Sequence, residues 1–270
     1  MSIVLQDLVG NRYNLEEYGI KSLGLIISSP NPIHNTEKIE GRHGHIDMGT
    51  TFEGRSLKGR FMLKAKDRLD YLLLRDEIFG LFDGRKFFYL IETDQPKRRW
   101  KVKTASAYDI ERITSRVGQF EIQFISPLPF AESFGTTLAP FDFNNELWAV
   151  GQGVISEDLK YVYNTPNFSI YNGSDVEIDP RELPLLITFK GASSNLKITN
   201  KTTGDGWKLA GTTNASDVIA LNGVKSLKNG VSIFGNTNRK ILSLAKGFNN
   251  FTIEGASNFE IKFDFRFYNF

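Results

Sequence analysis

The last dozen residues constrain this chain most. Phe259, Ile261, Phe263, Phe265 and Phe267 alternate with Glu260, Lys262, Asp264 and Arg266. Successive side chains of a strand point to opposite faces, so this pattern makes one apolar row and one charged row. A helix would scatter the same apolar side chains around its circumference. The segment therefore predicts a half-buried β-strand. A shorter version lies mid-chain, in Phe120-Glu121-Ile122-Gln123-Phe124. Ser126-Pro127-Leu128-Pro129 follows, and its prolines break any continuing ladder. A strong strand thus stops at a proline connector almost halfway along. We expect two domains, residues 1–130 and 131–270, which suits a chain of 270 residues.

The two halves carry different signals. In the first, Tyr71, Leu74, Ile78, Leu81 and Phe82 recur at helical spacing. Asp67 stands where an N-cap belongs, and Asp70 lies near the positive helix start. Leu69, Leu72, Leu73 and Phe79 widen the apolar stripe, so the helix should be covered on more than one side. It is expected to pack on a sheet, or between a sheet and a neighbouring subunit. Asp83-Gly84 should end it, with Gly84 in the left-handed cap conformation. Residues 59–65 read as a strand before the helix. Lys86 to Ile91, a turn at residues 93–96, and Arg98 to Thr104 read as a hairpin after it. The second half looks all-β. Asn172-Gly173, Asn222-Gly223 and Asn229-Gly230 are tight-turn signals, and Gly204-Asp205-Gly206 and Gly235-Asn236 add two more. Between them lie short runs such as Leu185–Phe189, Leu196–Ile198, Val231–Phe234 and Phe251–Ile253. The expected fold class is mainly β with one helix in the N-terminal half, the C-terminal half being a sandwich or jelly roll.

Composition then removes whole chemistries. The chain has 22 Phe and 9 Tyr, more aromatic surface than a disordered chain carries. It has no cysteine, which excludes disulfides, thiolate zinc sites, iron–sulfur clusters and cysteine nucleophiles. No apolar run reaches the ~18 residues of a membrane helix. The N-terminus shows no secretory signal, so synthesis in a cytoplasm is the expectation. The charge is +2, from 33 basic and 31 acidic residues. Up to Leu128 there are 20 basic and 17 acidic residues, and beyond it 13 and 14. Neither half is basic enough for a nucleic-acid coat.

Candidate chemistry is thin. His43 and His45 could be metal ligands, with His34 nine residues away, but no Asp or Glu spacing accompanies them. A polar loop is the expectation. Ser28-Ser29 and Ser193-Ser194 lack a nucleophile elbow, and no phosphate-cradling glycine motif is present. Glu157-Asp158 and the group Asp175, Glu177 and Asp179 are the carboxylate sets a glycosidase or a calcium site would need. The latter alternate as on a strand, and a solvated strand face is expected. Lys97, Arg99, Lys101 and Lys103 share one face of a predicted strand, opposite Trp100 and Val102. They read as a solvated edge that blocks stray strand pairing or meets an acidic partner. Trp148 and Trp207 would stack on sugars if exposed, and are core if buried, which is the favoured reading. Asn167-Phe168-Ser169 and Asn200-Lys201-Thr202 match the glycosylation triplet by chance. No catalytic, cofactor or metal residues are therefore assigned, and the chain is not expected to be an enzyme.

The order of several segments resembles the distal tail protein family of long-tailed phages that infect Gram-positive bacteria. The first is Glu37 to Asp47, with Gly41-Arg42-His43-Gly44 ahead of Ile46-Asp47. Gly54-Arg55-Ser56-Leu57 and the Phe61–Ala65 strand follow. Then come the Asp70–Phe79 helix and the Arg99-Trp100-Lys101-Val102 return. Tyr171-Asn172-Gly173, Pro184 with Leu185–Phe189, Ile198-Thr199-Asn200 and the Phe251–Phe267 ending complete the series. Arg181-Glu182-Leu183 before Pro184 makes one loop longer than the family's pattern. The resemblance implies an N-terminal ring-forming β domain and a C-terminal galectin-like β-sandwich. It implies a homo-hexamer at the distal end of the tail, joining the tail tube protein to the tail-tip or tail-associated lysin protein. Receptor-binding proteins often attach, genomic DNA passes through the ring, and no membrane is involved. The alternative is a carbohydrate-binding β-sandwich protein for host cell-wall glycans.

Overall fold

The computed structural model of the chain describes residues 2–140 and 159–270. The chain divides into two compact units, Met1–Glu132 with Phe270, and Ser133–Asn269. Both are built of strands, and α1 (Arg68–Leu81) is the one α-helix among the described residues. The expected class, mainly β with a helix in the N-terminal half, holds.

In the first unit, β1 (Ile3–Gln6), β2 (Arg12–Asn14), β7 (Phe88–Glu92) and β8 (Arg98–Thr104) form one group in the order β2-β1-β7-β8. A second group contains β3 (Ile20–Ile27), β6 (Arg55–Lys64), β9 (Ile110–Arg112) and β10 (Val117–Ser126), with β10 between β9 and β6, and β3 outside β6. The groups meet at a corner of two rungs, Phe124 opposite Thr104 and Ile125 opposite Lys103. Alternation explains the core between them. On β6, Leu57, Phe61 and Leu63 are buried, and on β10 Phe120, Ile122 and Phe124 are, while the residues between face outward. Ile3, Leu5, Leu90, Trp100 and Val102 from the other group join the same cluster.

Helix α1 covers this core with Tyr71, Ile78 and the C-cap residue Phe82. Phe82 sits among Phe61, Phe88, Phe124 and Tyr108, with ring centroids 5.4 to 6.5 Å away. Asp67 caps the helix as expected, its Oδ1 accepting from the backbone N–H of Leu69 and Asp70 at 2.8 and 2.9 Å. The other end differs. Phe82 closes the helix with φ −97°, and Gly84 is absent from the left-handed positions. Phe82 is held as a core side chain, so packing rather than a glycine cap stops the helix.

One hairpin stands apart in this unit. β4 (Pro32–Glu37) and β5 (Ile46–Phe52) pair with each other and with no other named strand. The sequence suggested only a polar loop here.

β11 (Ala131–Ser133) leads from one unit to the other. The second unit contains β12 (Val162–Tyr163), β13 (Asn167–Asn172), β14 (Leu185–Asn200), β15 (Gly206–Lys208) and β16 (Thr212–Thr213). It continues with β17 (Val218–Asn222), β18 (Lys225–Lys228), β19 (Val231–Ser232), β20 (Gly247–Phe265) and β21 (Tyr268–Asn269). The sequence suggested short separate strands. Instead β14 has 16 residues and β20 has 19, and they pair antiparallel along their lengths. Each is folded back on itself. Phe251 and Phe263 both lie on β20, and their rings are 4.9 Å apart. Twelve residues of straight strand would span roughly 40 Å. The bend falls where the register shifts, between Gly191 and Lys197 on β14 and at Gly255 on β20. Gly255 has φ +83°, and a Cβ there would stand 2.9 Å from the Asn195 carbonyl oxygen and nearer still to that of Ser194. One ladder therefore supplies both layers of a sandwich. Its first layer holds Leu185–Gly191, Phe259–Phe265 and β17 to β19, and its second holds Lys197–Asn200, Phe251–Glu254, β13 and β15.

The turn signals split. Asn229 and Gly230 take φ +49° and +82° between β18 and β19, and Gly223 takes +58° between β17 and β18. Asn172-Gly173 is no tight turn. Asn172 is fully buried, and its Nδ2 donates to the carbonyls of Val176 and Leu244 at 3.0 and 3.1 Å.

Candidate assembly surfaces

The candidate chemical sites each resolve into structure. His34 lies on β4, with Nδ1 2.9 Å from Thr50 Oγ1, and His43 and His45 lie exposed in the connection to β5. No group of three potential ligands lies close enough to hold a metal ion among the described residues. Ser193 Oγ is 2.7 Å from Thr213 Oγ1, a hydroxyl pair rather than a nucleophile beside a base. The Asn200 side chain is buried and donates to the Ser243 carbonyl and to Asn249 Oδ1 at 2.8 and 3.0 Å. That triplet is a structural one.

Asp175, Glu177 and Asp179 do not share a strand face. Residues 173–177 lie outside any strand, and only Ile178 bridges, to Leu244. Ile178 is fully buried and anchors the segment. Asp175 pairs with Lys246 Nζ at 3.1 Å. The Arg181 guanidinium grips both oxygens of Asp179 and holds that carboxyl below its ordinary range. Each of these two acids thus has its own basic partner, and no facing carboxylate pair results. Glu157, Asp158 and Trp148 lie outside the described residues. Trp207 is buried, its Nε1 donating to Ser226 Oγ at 3.1 Å, so it is core as favoured and offers no face to a sugar.

The basic run is the main correction. β8 is an interior strand between β7 and β10, not an edge. Arg99 is buried. Its Nε and Nη2 donate to Glu132 Oε1 at 2.7 and 2.6 Å, Nη1 donates to Gln6 Oε1 at 3.2 Å, and the guanidinium lies 3.8 Å from the Tyr89 ring centre. Lys101 and Lys103 lie 5.5 and 5.6 Å from the Phe87 ring. The alternation was right about the opposite face, since Trp100 and Val102 are buried. It could not tell a polar residue facing water from one facing a buried partner.

The surface instead offers uncovered apolar groups. On α1, Leu69, Leu72, Leu73 and Phe79 are exposed, opposite the core-facing Tyr71 and Ile78. On the β4–β5 hairpin, Ile33, Ile39, Met48 and Phe52 are exposed. The helix surface was visible in the width of its apolar stripe. The hairpin was not, because its residues Ile33 to Glu37 carry too few apolar side chains to show alternation. The outward face of β6 and β10 is polar, with Lys58 and Arg60 both bound to Glu121 at 3.0 and 3.1 Å.

Known proteins place this architecture. Residues 13–126 match the family model described as the phage tail protein RIFT-related domain. No curated protein sequence matches the chain. The fold is similar to that of the SPP1 Dit (gp 19.1) protein, described as a paradigm of the hub adsorption apparatus in phages infecting Gram-positive bacteria. That likeness has a TM-score of 0.72 at 11% identity, covering 99% of this chain and 100% of the other. The phage P2 baseplate in its activated conformation gives a TM-score of 0.49 at 9% identity, covering 98% and 97%. The resemblance read from the segment order is met by a phage tail domain over residues 13–126 and by a fold shared along the chain.

Proposed function

We propose, for a chain whose residues 13–126 form a phage tail protein RIFT-related domain, the role of a structural hub at the distal end of a long phage tail. The observation that carries this reading is the fold shared over 99% of the chain with SPP1 Dit. The first unit assembles as a hexameric ring, and the second is a galectin-like sandwich carried on it. The ring joins the tail tube protein to the tail-tip protein and lets DNA pass, and receptor-binding proteins dock on it. The chain acts as a scaffold without catalysis. Its acids and histidines support this, because those in the candidate sets are paired with neighbours or scattered rather than gathered around a cleft. The carbohydrate-binding alternative loses Trp207, one of the two tryptophans that motivated it.

Light scattering coupled to size exclusion, followed by negative-stain imaging, tests the reading. The expected result is a six-copy ring, formed alone or on mixing with the tail tube and tail-tip proteins. A monomer that forms no ring even beside those partners overturns it.

A further inference from the structure

We propose that the outward face of the second sandwich layer binds a neutral glycan chain. This goes beyond the hub role and requires no ring. Three successive outward rungs of β13 and β20 build the face, pairing Asn167 with Thr252, Ser169 with Asn250 and Tyr171 with Phe248. Alternation turns all six side chains away from the core, since Phe168, Ile170, Phe251 and Asn249 between them are buried. The rungs span roughly 13 Å, more than a single sugar ring covers.

None of the six carries a charge. A solvated strand face ordinarily does, and the outward positions of the first layer follow that rule with Lys190, Glu260, Lys262 and Asp264. At one end of the uncharged face Phe248 is 62% exposed and lies against Tyr171, their ring centroids 4.9 Å apart. The pair is a platform for the C–H side of a sugar ring. Beside it two amides are held in place. Ser169 Oγ donates to Asn250 Oδ1 at 2.6 Å, and Thr252 Oγ1 donates to Asn167 Oδ1 at 3.1 Å. Each amide oxygen is thus engaged, and each Nδ2 is left to donate to a ligand hydroxyl. Donors fixed before binding lose little freedom when they bind.

These features select the ligand. A protein interface buries a core of several apolar side chains. Here the one ring pair is surrounded by hydroxyls and amides, which is what a sugar asks of a site. Charge lies only at the margin, where Lys197, Lys208 and Lys201 gather around Glu254. Lys197 Nζ is 2.7 Å from that carboxyl, and the lysines hold it below its ordinary range. A phosphate or carboxylate would be drawn to this basic margin. A neutral ring is drawn to the platform and the amides. The site needs neither Trp148 nor Trp207.

The full chain is titrated with maltohexaose, cellohexaose and chitohexaose at millimolar concentration and followed by saturation-transfer NMR, with polygalacturonate as the anionic control. Saturable binding of at least one neutral oligosaccharide, insensitive to salt, is the expected result. Phe248→Ala and Asn250→Ala should each weaken it roughly threefold to tenfold, with circular dichroism and melting unchanged because both side chains are exposed. Phe248→Tyr should retain binding, and Lys190→Ala on the other layer should leave it as it was. Binding undiminished in either alanine variant puts the sugar elsewhere and overturns the proposal. So does a salt-sensitive preference for polygalacturonate, which moves the site to the lysines. No binding of any neutral oligosaccharide overturns it as well. If Phe248→Ala instead abolishes binding of a tail protein while no sugar binds, the face belongs to a protein and the proposal fails. Each of these failures leaves the hub reading intact.

Discussion

At the residue scale, the most consequential side chain is Arg99, whose partners lie far away in sequence. Its guanidinium and Glu132 are both largely buried and share two hydrogen bonds. Removing one member strands the other charge out of water, and such losses run to roughly 3–5 kcal/mol. Arg99→Met should lower unfolding stability by that order in urea titrations, and Arg99→Lys should recover only part, since an ammonium cannot reproduce the planar fork over Tyr89. A loss near zero would mean that Glu132 finds another cation. Asp217 supports a pH expectation. Lys228 Nζ at 2.9 Å, the Asn214 N–H and the Asn229 amide hold its carboxyl at about 2, below the ordinary 3.8. A carboxyl lowered on folding stabilises above its unfolded value, and that contribution is lost as pH falls through the folded one. Stability should therefore drop between about pH 4 and 2, and Asp217→Asn should shallow that slope in urea midpoints taken across the range. Sequence showed the charge of Arg99 but not its burial, because a strand pattern is silent on what faces its polar side. Trp207 was legible for the converse reason. A large ring at the start of a short run between two turns has more apolar area to hide than to show.

At the element scale, the pattern of side chains was more legible than the extent of the strands. The Phe259–Phe267 alternation and the Asp67 cap were read correctly because each depends on residues within one or two turns of chain. The merger of Leu185–Phe189 with Leu196–Ile198, and of Phe251–Ile253 with Phe259–Phe265, was not, since a glycine between two strands reads as a turn. Here Gly191 and Gly255 instead fold a ladder without ending it. This makes Gly255 a sharp test. Gly255→Ala forces a side chain into a left-handed backbone position and against the Ser194 and Asn195 carbonyls. It should cost about 1–3 kcal/mol or more, seen as an earlier unfolding transition by Trp207 fluorescence in a variant without Trp100 and Trp148. An unchanged transition would show that the bend tolerates a shifted register. The helix teaches a related point. Ile78 invites mutation as the centre of the apolar stripe, yet it is fully buried, so Ile78→Asp would unfold the unit before it reported on any interface. Leu73, on the same helix, separates the two effects.

At the scale of the whole molecule, charge and assembly bear on the same question. On the function proposed above, the passage through the ring must let DNA through without holding it. The chain carries +2, and part of its exposed basic charge is matched in place, as Lys197 is by Glu254, while Lys58 and Arg60 share the single Glu121. Paired cations release few counterions from DNA, so both affinity and salt dependence should be small. Assembled protein titrated into a fluorescent duplex should give binding no tighter than the ordinary non-specific range, about 10⁻⁴–10⁻⁶ M near physiological salt. The salt slope should correspond to only a few phosphate contacts. Lys58→Glu, which turns the Lys58–Arg60–Glu121 group from +1 to −1, should weaken that residual binding further. Tight binding with a steep salt slope would place a continuous cationic surface on the assembly and would argue against a passage for DNA. The same titration on Leu73→Asp, if that variant remains monomeric, asks whether any binding belongs to the ring or to the chain, since only a ring brings cations from several copies around one duplex.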